Sequence, residues 1–150
     1  MVVRSIRERN ILFLCQDNAA SSQMAEAIAK HLAPPKTRIF SAGITPGKIP
    51  PQVSSVLEEV GVKLSGQKPK SLKDVPTDEI DLVITLSPEM KEKFPALSTK
   101  ARQIHWAIPD AKGISGGEAA MNAVYRYLRD EIDKGVAALF LDYWRNSGAA

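Results

Sequence analysis

The stretch "ILFLCQDNAASSQMAEAIAKHL", residues 11–32, decides how the chain is read. It opens with an apolar run, Ile11 to Cys15, short enough for a buried strand. It closes with a helical pattern, Ser21 to Leu32, in which Met24, Ala25, Ile28 and Leu32 recur on one face. Gln16, Asp17, Asn18, Ala19 and Ala20 lie between them. Strand, tight loop and helix in that order set Cys15, the only cysteine, against a helix N-terminus. Backbone N–H groups there have no intrahelical partner and point outward, so the loop can cradle an anion. The same partial positive charge favours a thiolate. Cys15 therefore reads as a nucleophile or as an ordinary buried core thiol, and its place at a strand end facing a helix favours the nucleophile. Asn18 suits a left-handed backbone position, and is equally a common turn residue. Ser22 can donate its hydroxyl to the sulfur. As an N-cap, Ser21 or Ser22 would serve equally well.

Outward from this stretch the pattern alternates. Pro34 and Pro35 stop the helix. Arg38 to Ala42 reads as a second strand, and Gly43 to Pro51 as a Pro/Gly loop. Val53 to Val60 reads as a short amphipathic helix, with Val53, Val56, Leu57 and Val60 inward and Gly61 as its C-terminal turn. Residues 65–80 read as an exposed connection, with Lys68, Lys70 and Lys73 forming a solvated face. Asp81 to Leu86, "DLVITL", is β-branched and nearly continuous, a third strand. Ser87, Pro88 and Glu89 open a helix as N-cap, first helical position and first-turn acid. Arg102 to Trp106 reads as a fourth strand, and "AIPDAKGISGG" as a loop of small residues. In the last helix Met121, Val124, Leu128, Ile132, Val136, Leu139 and Phe140 mark one buried face. Alternating strands and helices predict an α/β domain with a parallel sheet covered on both faces. Right-handed crossovers bring loops 15–22, 87–90 and 107–117 to one edge, at the carboxyl ends of the strands.

The chain as a whole sets limits. At 150 residues it reads as a single domain, 1–150, with 44% hydrophobic and 25% charged residues, as in an ordinary globular protein. The net charge of +3 comes from dispersed Lys and Arg, so no nucleic-acid surface is expected. No apolar run reaches spanning length and the N-terminal residues are charged, so neither a membrane span nor a signal peptide is expected, and the cytoplasm is the expected location. One Cys excludes an intrachain disulfide and a multi-Cys zinc site, and His31 and His105 lie far apart, so no metal and no cofactor is expected. "GISGGEA" lacks the Gly-Lys-Ser/Thr ending of a nucleotide loop and reads as a lead-in to the last helix. Trp106 reads as core rather than pocket lining, and Tyr125, Tyr127 and Tyr143 as packing or surface residues.

The opening stretch resembles the phosphate-binding loop and first helix of the low-molecular-weight protein tyrosine phosphatases, a family that includes phosphatase-like arsenate reductases. Its motif is Cys, five residues, Arg, then Ser or Thr. The resemblance continues in "SAGITPG", "VSSVLEEVGVKLSGQKPKSL", "DLVITLS" and "IHWAIPDA" and covers most of the chain. It implies a three-layer αβα, phosphotyrosine phosphatase I-like fold, with a four-stranded parallel sheet in strand order 2-1-3-4. It also implies a mechanism. A Cys thiolate attacks phosphorus, the loop amides and Arg hold the oxygens, and an Asp protonates the leaving group. Cys15 matches the nucleophile, Asn18 the loop Asn, Ser22 the residue after the Arg, and Asp110 the acid. By local sequence alone Asp110 is a turn residue after Pro109.

Three positions depart from the motif. Counting five from Cys15 through Gln16, Asp17, Asn18, Ala19 and Ala20 puts Ser21 at the Arg position. A hydroxyl cannot replace the paired charge-assisted bonds of a guanidinium. Positioned arginines are worth roughly 10³- to 10⁵-fold at a transferring phosphoryl group, about 4 to 7 kcal/mol of transition-state stabilisation. Asp17 brings a carboxylate that repels a dianion and raises the Cys15 pKa if it turns inward. Ala111 stands where the family has Pro. The two further cysteines of thioredoxin-coupled reductases correspond to Ser87 and Phe94, which excludes an internal disulfide cascade and leaves only a reductase using an external small thiol. The segments "HWAIPDA" and "YLRDEIDKGV" resemble the reductase branch. Three functions follow: a weak or inactive Cys-dependent phosphomonoester hydrolase taking a phosphate-like oxyanion or phosphorylated substrate, a thiol-dependent arsenate reductase, and a non-catalytic binding relative.

Overall fold

The computed structural model describes residues 9–93, 101–109, 111 and 116–146. Four strands, β1 (Asn10–Cys15), β2 (Arg38–Gly43), β3 (Leu82–Thr85) and β4 (Arg102–His105), form one sheet in the order β2-β1-β3-β4. Every neighbouring pair is parallel. The helices are α1 (Ser21–Leu32), α2 (Pro51–Glu58), α3 (Pro88–Lys93) and α4 (Glu118–Asn146). This is the expected three-layer αβα arrangement and strand order.

Alternation along β1 explains the layers. Ile11, Phe13 and Cys15 face a core built with α1, α2 and α4, which contribute Met24, Ile28, Val56, Leu57, Leu128, Ile132 and Phe140. Leu12 and Leu14 face the opposite core, with Val83 of β3 and Met90 of α3. Each of these buried aliphatic or aromatic side chains contributes about 1.5–3 kcal/mol relative to exposure. Trp106 lies against the Phe13 ring, with centroids 5.7 Å apart, and its ring edge sits 3.0 Å from where a Cβ on Gly135 would fall. Its described contacts are therefore core contacts, and α4 needs a glycine to let it in. Tyr125 is buried and Tyr127 exposed; Tyr143 lies among residues whose side chains are not described.

Several expectations are corrected. Helix α2 stops before Val60, which is 48% exposed rather than inward. Gly61 takes φ +75°, and Val62 N–H reaches back to the Leu57 carbonyl, so the chain leaves in a left-handed turn and Val62 is buried instead. Ser87 does not cap α3 with its side chain: its carbonyl accepts from Met90 N–H, while its hydroxyl is buried without a partner. Residues 65–80 are not simply exposed. Two short 3-10 turns, Leu72–Asp74 and Thr77–Glu79, sink Val75 and Ile80 into the second core. Lys68 and Lys73 are exposed as expected, but Lys70 is drawn inward.

Candidate active site

Cys15 ends β1 in register with Gly43 at the end of β2. The loop that follows is held from behind by the chain after β2. Ile44 and Thr45 N–H both donate to the Gln16 carbonyl, at 2.9 and 3.0 Å, and Gly47 N–H donates to the Asp17 carbonyl at 2.8 Å. With those carbonyls tied back, the Asn18 amide is left to face the sulfur. Asn18 N–H donates to Cys15 Sγ at 3.2 Å, and Asn18 has φ +51°, the left-handed conformation this inward turn requires. Gly43 makes the approach possible: a Cβ there would lie 2.7 Å from Asn18 N and 2.8 Å from the Asp17 carbonyl carbon. Both are main-chain atoms that cannot swing aside.

Helix α1 starts at Ser21, with Ala20 at the N-cap and no side-chain cap bond. The N-cap reading of Ser21 or Ser22 is therefore overturned. Ser22 is fully buried and its Oγ sits 2.8 Å from Cys15 Sγ. Ser21, which the resemblance sets at the family's Arg position, is half-buried in the first turn of α1.

The second departure, Asp17, points inward. Its Oδ1 accepts from the Ala19 N–H at 3.3 Å and lies 3.8 Å from Cys15 Sγ. The carboxylate thus holds a loop amide next to the sulfur. Gly47 lies close to that side chain: a Cβ there would fall 3.5 Å from Asp17 Cβ. The electrostatic consequence runs against thiolate formation. Burial pushes the Cys15 thiol above its ordinary range, and the Asp17 charge adds to the rise. The Ser22 hydroxyl and Asn18 N–H pull it down but do not offset burial. The expectation that the helix start would lower the thiol is corrected accordingly.

The structure thus brings Cys15, Gln16, Asp17, Asn18, Ala19, Ala20, Ser21 and Ser22 together as one turn. Asp110 lies outside the described residues, as does Phe94. Its neighbour Ala111 packs into the larger core. Among the described residues no group of three His, Cys, Asp or Glu is placed to hold a metal, and no helix is long and apolar enough to cross a membrane.

Sequence reasoning missed the shell behind the loop. Gln23, Glu26, Ser41 and Lys70 surround Asn18 and come from α1, β2 and the 65–80 segment. Gln67 donates to Gln23 from the same segment, at 2.8 Å. Glu26 carried one available signal: it falls two residues before Ile28 in a segment with an alanine on either side, where a surface acid was not required.

Comparisons with known proteins bear on this geometry. Residues 10–146 match the family described as low molecular weight phosphotyrosine protein phosphatase. An arsenate reductase of Bacillus subtilis is 32% identical over 122 residues, covering 81% of this chain and 88% of the relative. An arsenate reductase of Halalkalibacterium halodurans is 30% identical over 129 residues, covering 86% and 93%. Among solved structures, an arsenate reductase in the phosphate binding state superposes with a TM-score of 0.71 at 26% identity, covering 89% of this chain and 97% of that one. The tyrosine phosphatase AmsI of Erwinia amylovora shares the fold, with a TM-score of 0.70 at 24% identity and coverage of 88% and 93%.

Proposed function

The chain belongs to the low molecular weight phosphotyrosine protein phosphatase family, and on that premise we propose that it keeps the layout of Cys-nucleophile phosphomonoester chemistry while its turnover of phosphate dianions is weak or lost. The observation that carries this reading is the Asp17 carboxylate on the Ala19 N–H, 3.8 Å from Cys15 Sγ. A dianion entering the loop has to displace that carboxylate or accept its repulsion, and no guanidinium at position 21 offsets the cost. In the productive cycle Cys15 is the nucleophile and Asp110 the proton donor. The thiolate forms a bond to phosphorus as the ester oxygen leaves with the Asp110 proton. Water then cleaves the cysteinyl-phosphate.

The test is phosphate release from para-nitrophenyl phosphate by concentrated protein, with Cys15→Ser as background. Slow release that Cys15→Ser abolishes, or none above that background, fits a weak or lost hydrolase. Release at the rates usual for enzymes, about 10 s⁻¹, would contradict the proposal.

A second reading is an arsenate reductase using an external small thiol. It is favoured by the names of the curated relatives and by the single cysteine, which leaves the reducing thiols to come from outside. Arsenate-dependent oxidation of glutathione or mycothiol would support it, and no arsenate dependence with either thiol would remove it. A protein inactive in both assays is left with the third reading, a binding module built on the same crevice.

A further inference from the structure

Behind the loop the donors around Asn18 can be assigned. Asn18 Oδ1 accepts from the Lys70 main-chain N–H at 2.8 Å and from Gln23 Nε2 at 3.0 Å. Two donors on that oxygen fix the amide's orientation, so Nδ2 carries the hydrogens and aims them at Ser22 Oγ, 2.8 Å away, and Ser41 Oγ, 2.9 Å away. Ser41 in turn donates to the Glu26 carboxylate. Ser22, having accepted from Asn18, has its own hydrogen left to give to Cys15 Sγ, 2.8 Å away. The far end of the chain is Glu26, which is only 3% exposed. An ionised carboxylate accepts and never donates, which gives the chain its sense, but a buried one must be paired. Lys30, half-exposed on the same helix, pairs with Oε2. Lys70, with its side chain 23% exposed, pairs at 3.3 Å with Oε1, the oxygen that Ser41 uses.

We propose that the Lys70–Glu26 ion pair is a positioning device for the nucleophile, fixing the donor direction through Ser41 and Asn18 so that the Ser22 hydroxyl is aimed at Cys15. Lys70 acts twice. Its main-chain N–H orients the Asn18 amide, and its ammonium holds Glu26 as the acceptor that ends the chain. The inference rests on Cys15 being the reacting group and not on any turnover of phosphate.

Alkylation of Cys15 by iodoacetamide at pH 7, followed by mass spectrometry on the full chain with circular dichroism as the fold check, reads this directly. It needs no phosphate chemistry, so a failed hydrolase assay leaves it intact. Lys70→Met takes the cation from the Glu26 oxygen that Ser41 uses, leaving Lys30 alone on the other oxygen, and is expected to slow alkylation about tenfold, the scale of about one pKa unit in thiolate formation. Lys70→Arg keeps the charge and is expected to stay within about twofold of the parent. Glu26→Gln combined with Lys70→Met removes the half-paired charge, keeps an acceptor for Ser41, and is expected to regain most of the loss. Parent-like alkylation by folded Lys70→Met would overturn the proposal. So would a Lys70→Arg variant as slow as Lys70→Met, or a double variant as slow as the single. Should Lys70→Met not fold, Lys70→Arg and the double variant decide by comparison with the parent: both near it support the pair, and either one tenfold slower overturns it.

Discussion

At the scale of single residues the site turns on the short distance between Cys15 and Asp17. A thiol buried beside a carboxylate has two reasons to keep its proton, burial first and the Asp17 charge a smaller second, and hydrogen bonds from Ser22 and the Asn18 N–H that argue the other way without offsetting burial. The sign follows. The protonated thiol is neutral, burial and a neighbouring negative charge both disfavour the thiolate, and so both raise the pH at which it forms. Alkylation of the parent protein should therefore stay slow at neutral pH and rise only beyond the range of a free thiol, about 8.5. Asp17→Gly removes one of the two causes and should shift the whole rate–pH profile to lower pH, as measured by iodoacetamide kinetics on both proteins. A parent profile already at its plateau near neutrality would contradict this account of the thiol.

At the scale of elements, α2 and α4, which cover the larger core, are tied to each other by a polar clamp. Glu59, at the C-terminal end of α2, takes three hydrogen bonds from Arg126, two of them sharing Nε, and accepts from Arg129 at 2.7 Å. Arg129 also donates to the Val56 carbonyl at 2.8 Å, which ties α4 to the last turn of α2. The Arg126 and Arg129 guanidiniums hold the Glu59 carboxyl well down, to about 2. Because this pKa lies below the ordinary carboxylate range, the clamp's contribution is fully present above that range and is lost as pH falls through it toward about 2. Glu59 and Arg126 reach solvent, so the contribution is modest although Arg129 is buried. Thermal melts across acidic pH should show the parent losing stability in that window, and Glu59→Gln losing less of it. Identical acid dependence in the two proteins would count against the clamp.

At the scale of the whole molecule, the fold was legible because its signals are local. Each strand is a short apolar run, each helix has a periodic face, and together they dictate a parallel sheet with its working loops at one edge. The turn between β1 and α1 was legible for the same reason, since Cys15, Asn18 and Ser22 lie within one turn of chain. What was hidden depends on tertiary approach. Gly43 matters because β2 brings it so close that a Cβ there would lie 2.7 Å from Asn18 N, and Lys70 because the chain past α2 returns to Asn18. In sequence the first is one glycine in a loop, and the second one lysine among three. The inward turn of Asp17 was equally hidden, since a side chain's direction follows from the loop that holds it. That turn is the centre of the account, which holds that the loop has kept its shape and lost its grip on phosphate through two residues together. The measurement that tests it most directly is para-nitrophenyl phosphate hydrolysis by Asp17→Gly/Ser21→Arg beside the parent and each single variant. The account predicts that Ser21→Arg alone gains little, because the carboxylate still holds the loop amide. It predicts that the double variant gains on the order of 10³-fold or more, the scale of a positioned arginine, and that adding Cys15→Ser abolishes the gain. A double variant no faster than the parent, or a Ser21→Arg variant that recovers everything alone, would contradict it.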